Sequence, residues 1–149
     1  MRRILSLIVA TVVAGGSANA QQRRIAGPGG GGVELPKIPA DPSHPFVGAL
    51  IGRLALDDTI PIAIVIQIAD GKYTGATVWP NGARAPHLSS VQTGNVLAWQ
   101  QANSGGGMWH YVMKRTTGDT LVGTMTLRDA PNFPPRLPMG SLVLVRDPQ

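Results

Sequence analysis

The stretch Ile60-Pro61-Ile62-Ala63-Ile64-Val65-Ile66-Gln67-Ile68 decides the fold of this 149-residue chain. Five isoleucines recur at every second position, and successive side chains of an extended strand point to opposite faces, so the row forms one continuous apolar face. β-Branched side chains suit a pleated, half-buried surface better than a helix. Asp70-Gly71 follows at once, the dipeptide that favours a two-residue hairpin because both positions adopt positive φ readily. A strand followed by a tight reversal is therefore the unit from which the rest of the chain is read.

Working outward, the same texture repeats. Lys72 to Trp79 puts Tyr73, Gly75, Thr77 and Trp79 on one face, and Pro80-Asn81-Gly82 ends it. Ala83 to Val91 is a weaker strand interrupted by Pro86, and Asn95 to Gln101 aligns Leu97 with Trp99. Past the glycine-rich loop 103–107, Met108 to Lys114 alternates Trp109, Tyr111 and Met113 against His110 and Val112. Thr120 to Arg128 and Gly140 to Arg146 complete the series, with Phe46 to Leu56 opening it. The expected fold is all-β: a single antiparallel up-and-down meander of about eight strands closing into a small barrel, which also removes exposed strand edges. Its interior takes the isoleucine row together with Leu50, Leu54, Tyr73, Leu97, Trp99, Trp109, Tyr111, Met125 and Leu142. Gly52, Gly75 and Gly123 fall in mid-strand, where a barrel needs sharp bends.

Two segments precede this domain. Residues 1–20 have the order of a cleavable secretory signal peptide: Arg2-Arg3, an apolar run from Ile4 to Ala14, then Ala18-Asn19-Ala20. That run is shorter than the roughly 20 residues needed to cross a bilayer core, and no cysteine follows it to carry a lipid, so no stable membrane anchor is expected. Cleavage after Ala20 places the protein in the periplasm or outside the cell. Residues 21–45 read as a disordered, flexible leader, with Gly-Pro-Gly-Gly-Gly-Gly at 27–32 and prolines at 36, 39, 42 and 45. The domain itself is 46–149. Glycines 27, 29 and 32 match G-x-G-x-x-G, but no strand precedes and no helix follows, so no dinucleotide site is assigned.

Composition removes several function classes. The formal charge of +5 shrinks once Arg2 and Arg3 leave, from 13 Lys and Arg to 11 against 8 acidic residues, or +3. No basic run exceeds Lys114-Arg115, so nucleic acid is not an expected partner. The chain has no cysteine and hence no disulfide or thiol nucleophile. Its three histidines, at 44, 87 and 110, lack metal-ligand spacing, and no cofactor motif is present.

Four stretches carry a family resemblance. Ile62 to Ile68, Asp70-Gly-Lys-Tyr-Thr-Gly, Leu88-Ser-Ser-Val-Gln and Asp119-Thr-Leu-Val-Gly-Thr resemble the small lipocalin-like or avidin-like β-meander of bacterial exported proteins. A similar module also stands ahead of serine-hydrolase domains. The resemblance covers Phe46 to Arg146 and implies a barrel without catalytic machinery of its own.

Candidate function follows from the aromatics. Tyr73, Trp79, Trp99, Trp109 and Tyr111 are expected to line one interior wall, the kind of surface that takes a small apolar or aromatic ligand. The reading is a non-catalytic exported binding module, for such a ligand or for a partner protein. One alternative is a hydrolase-type enzyme using His87 or His110 at the barrel mouth, with Ser89 beside His87 on an alternating face. No G-x-S-x-G elbow accompanies them. A second alternative is a periplasmic protease-inhibitor-like barrel acting through its leader.

Overall fold

The computed structural model describes residues 24–26, 32–131 and 139–147, so the expected signal peptide lies outside the described residues. A short hairpin, β1 (Arg24–Ala26) with β2 (Gly32–Glu34), precedes the main sheet. That sheet is antiparallel and has nine strands. They are β3 (Gly48–Ala55), β4 (Thr59–Ala69), β5 (Lys72–Val78), β6 (Arg84–Pro86), β7 (Ser89–Thr93), β8 (Val96–Ala102), β9 (Met108–Arg115), β10 (Thr120–Arg128) and β11 (Met139–Arg146).

The isoleucine strand behaves as its pattern requires. Ile62, Ile64 and Ile66 are buried on one face of β4, and Asp70 and Gly71 turn it with φ of 50° and 71°. Register carries the apolar face from strand to strand: Ile64 opposes Leu50 and Thr77, and Leu54 opposes Leu142. The main core gathers Phe46, Leu50, Leu54, the isoleucines, Leu97, Trp99, Tyr111, Met113, Leu121, Met125, Leu142 and Leu144. At ~1.5–3 kcal/mol for each fully buried large side chain, this cluster dominates the stability.

Two features differ from the closed eight-stranded barrel. Pairing of the outermost expected strands does occur, since β3 and β11 are antiparallel neighbours. The opening lies instead in mid-chain, where the single strand expected over 83–91 splits in two. The His87 N–H donates to the Gly75 carbonyl on β5, whereas the next N–H, that of Leu88, donates to Gln100 on β8. The chain thus leaves one sheet edge and joins the other within one residue. Among the described residues no ladder joins β6 or β5 to β7, and the sheet is a curled half-barrel, open along this seam. The Ser90 hydroxyl, donating to the Tyr73 carbonyl, spans it.

The bends fall where small residues permit them. A Cβ built at Gly75 would sit 2.0 Å from the Val65 carbonyl oxygen, and one at Gly123 would sit 2.0 Å from that of Val112. Any side chain there would push neighbouring strands apart, so glycine is what lets the sheet curl.

The leader is the second difference. Residues 33–38 are seated on the outer face of the sheet. Leu35 and Ile38, each 7% exposed, pack with Val47, Ala49, Ala63, Val65 and Val78. Ala49, Ala63, Val65 and Val78 form an apolar patch on the outward face of β3, β4 and β5 that needs a cover, which this segment supplies despite its prolines. Arg146 fastens its end: the guanidinium donates to the Val47 carbonyl and, at 2.8 Å, to that of Pro45, with Asp119 at 3.2 Å on its Nε.

Candidate functional site

Three strands and the seam build the aromatic interior. Tyr73 and Thr77 face inward from β5, with Trp79 just beyond its end. On β8 and β9 the register sets Trp99 opposite Tyr111 and Gln101 opposite Trp109. All five aromatic residues read from the sequence belong to the main core or pack against it. Tyr73 and Trp79 are separated by six strand residues, roughly 20 Å at ~3.3 Å each, and they mark opposite ends of the interior.

In the middle lies a stack. The rings of Trp99 and Tyr111 are 4.9 Å apart and 12° from parallel, and His87 lies over Trp99 at 4.7 Å and 25°. His87 therefore faces the core, placed there by the turn at the seam. Its Nε2 lies 3.3 Å from Thr77 Oγ1. Burial pushes the imidazole down to about 4, favouring the uncharged ring, and pushes the Tyr111 hydroxyl up to about 12. Thr77 and Gln101 oppose part of the Tyr111 shift, although neither meets the geometry of a formed hydrogen bond with its hydroxyl.

The expected pairing of His87 with Ser89 is not found. Because the backbone turns between His87 and Leu88, Ser90 comes onto the face of Trp99 while Ser89 is exposed. The hydroxyl of Ser90 is committed to the Tyr73 carbonyl. His110 opposes Gln100 and Thr126 on the outer face, as its alternation with Trp109 and Tyr111 predicts. No group of three His, Asp or Glu side chains able to hold a metal occurs among the described residues.

At the Trp79 end the strands part around a cavity of about 290 Å³, lined by Trp79, Asn81, Ala83, Ala85, Gln101, Ala102, Asn103, Ser104 and Trp109. The Asn103 amide fixes one wall: its oxygen accepts from Trp109 Nε1 at 3.2 Å, and its nitrogen donates to the Gly106 carbonyl at 2.8 Å. Gln101 is 2% exposed and its Oε1 is buried without a hydrogen-bond partner. Leaving such an acceptor unmet costs about 1–3 kcal/mol. Trp99 Nε1 and the Tyr111 hydroxyl are unpaired deeper inside. At the other end, Tyr73 shares a shallower cleft of about 350 Å³ with Ser43, His44, Gly71, Lys72, Ser90 and Gln92. Burial raises the pKa of its hydroxyl, partly offset by the Phe46 backbone amide. A depression of about 760 Å³ around Asn95 and residues 114–119 is an open trough over hairpin ends that would leave a ligand mostly in water.

Sequence reasoning reached Trp79 and Trp109 and missed Gln101. The signal was there: Gln101 continues the Leu97–Trp99 alternation and so had to face inward. Set beside known proteins, the chain matches no protein-family model, no curated protein and no solved structure.

Proposed function

We propose that this chain is a non-catalytic, exported binding module holding a small uncharged ligand between Trp79 and Trp109. The observation that supports it is a cavity of about 290 Å³ framed by two indoles, with uncharged polar side chains at Asn81, Asn103 and Ser104. Pockets of this kind combine an apolar lining with a few fixed polar atoms that orient the guest. Against a catalytic role, the His87 ring meets a threonine hydroxyl, and the nearest serine hydroxyl on its face is already donated to a carbonyl. The curled antiparallel meander is compatible with a lipocalin-like or avidin-like module, in which an end of the barrel receives the guest.

The test is a thermal-shift and tryptophan-fluorescence panel of uncharged ring compounds, saccharide and aromatic. A ligand at a hundred times its Kd stabilises the fold by about 2.7 kcal/mol, which a melting curve resolves. At least one compound is expected to give a saturable response that Trp79→Ala weakens. No response across both chemical groups refutes the reading.

A further inference from the structure

Residues 33–38 cover the outer face of the sheet over β3 to β5, whereas Val91, Val112, Val143 and Val145 stand exposed on the same face of β7, β9 and β11. Register joins these side chains into one band. Val91, Ala98 and Val112 are direct cross-strand neighbours on β7, β8 and β9. Val122 lies diagonally from Val112 on β10 and directly opposite Val143 on β11, with Val145 two residues further on. A contiguous exposed apolar band of this kind marks an interaction surface. Its charges have one sign. Lys114 adjoins Val122 and Arg53 adjoins Val143, while Arg128 and His110 share a hollow of about 160 Å³ with Val91 and Val112. β3 and β7 to β11 contain no Asp or Glu, and Asp57, Asp58, Asp119 and Asp129 lie beyond the strand ends.

Valines interleaved with cations, and no carboxylate among them, select the partner. A second copy presenting the same face would set Lys114 and Arg53 against like charges. A protein interface is usually centred on aromatic anchors, yet Phe46, Tyr73, Trp79, Trp99, Trp109 and Tyr111 all belong to the interior or pack against it. A lipid head-group layer is fluid and conforms to the convex outer face. It admits small apolar side chains at its acyl boundary and sets phosphates beside Lys and Arg, whose stems lie along the apolar groups. We propose that the outer face of β7 to β11 rests reversibly on a membrane surface carrying anionic head groups. Val91, Val112 and Val143 enter the interface, and Arg53, Lys114 and Arg128 meet lipid phosphates. This surface is separate from the Trp79–Trp109 cavity and does not depend on the function proposed for it.

Co-sedimentation of the purified full chain with vesicles of equal parts phosphatidylglycerol and phosphatidylcholine tests this, against vesicles of phosphatidylcholine alone. Binding to the anionic vesicles is expected at about 0.1 M salt and its loss at about 1 M, where the Debye length falls from about 10 to about 3 Å. Each Lys or Arg at such a surface strengthens binding roughly fivefold, so Lys114→Glu and Arg128→Glu should each weaken it at least about tenfold. Val143→Asn changes no charge and should weaken it roughly threefold. Lys37→Glu, the same reversal on an exposed side chain of the leader, should leave it within about twofold. Residues 1–20 are common to every variant, so differences between variants report the face, and cooperative melting of each is the folding control. Equal binding to neutral vesicles, an equal effect of Lys37→Glu, or no sedimentation with either vesicle overturns the proposal. So does a concentration-dependent dimer in sedimentation velocity that Val143→Asn abolishes, which assigns the face to a second copy.

Discussion

Lowering the pH from 7 to 4 should destabilise this protein through a single imidazole, and the size of the effect is set by where His87 sits. Its ring is packed on Trp99 with Thr77 and Tyr111 around it, and burial holds its pKa at about 4 against an ordinary 6.5. Between those values the unfolded chain binds a proton that the folded chain does not, so stability rises with pH. The contribution is fully present above about pH 6.5 and is lost as the pH falls toward 4. At 1.36 kcal/mol per pH unit the loss relative to pH 7 is about 1 kcal/mol at pH 5.5 and about 2 at pH 4.5, nearing 3 at pH 4. Asp41, whose pKa is lowered chiefly by its hydrogen bond with His44, acts below its ordinary 3.8 and so outside this window. The assay is urea unfolding followed by tryptophan fluorescence at pH 7, 5.5 and 4.5, on the natural chain and on His87→Phe. Phenylalanine keeps a ring against Trp99 and cannot titrate. The natural chain should lose about 2 kcal/mol more than the variant between pH 7 and 4.5. Parallel losses in the two proteins would refute the placement of a neutral, buried imidazole at the seam.

Packing sets three further outcomes. Gly75→Ala puts a methyl against the Val65 carbonyl, 2.0 Å away, and should cost about 1–3 kcal/mol, lowering the melting temperature without changing the strand content seen by circular dichroism. Arg146→Met removes charged donors from the Pro45 and Val47 carbonyls and the Asp119 carboxylate, and about 1.5–3 kcal/mol should disappear in urea titration. Leu35→Ala uncovers the outer face of β3 to β5; a loss of about 2 kcal/mol is expected, and limited proteolysis should then cut within residues 32–45, which the natural chain protects.

How far the fold could be read beforehand depends on the range of the forces involved. Alternation at Ile60–Ile68 and the turn at Asp70-Gly71 are local, and they specify β4, β5 and the hairpin between them without reference to the rest of the chain. The mid-strand glycines were legible for the same reason: a bend needs a residue without a side chain. The split of residues 83–91 was not, because it depends on which neighbour supplies the carbonyl. Both His87 and Leu88 donate ordinary backbone hydrogen bonds, one to each edge of the open sheet. Composition misled at the leader. Averaging over prolines and glycines hid Val33, Leu35 and Ile38, whose value appears only when the apolar outward residues Ala63, Val65 and Val78 are seen to need a cover.

The candidate site shows the same division, and there it has a functional consequence. Period-two reading places Tyr73, Trp79, Trp99, Trp109 and Tyr111 inward but carries no information on depth along the barrel axis. Depth is set by register, and register pairs Trp99 with Tyr111 in the filled middle while leaving Trp79 and Trp109 to frame the open end. A wall of five aromatics would favour an elongated apolar guest. Two indoles at an open end, with the middle filled by the Trp99–Tyr111 stack, favour a short guest. Register is therefore what narrows the expectation of a ligand along five aromatics to the proposal of a short, uncharged one between Trp79 and Trp109.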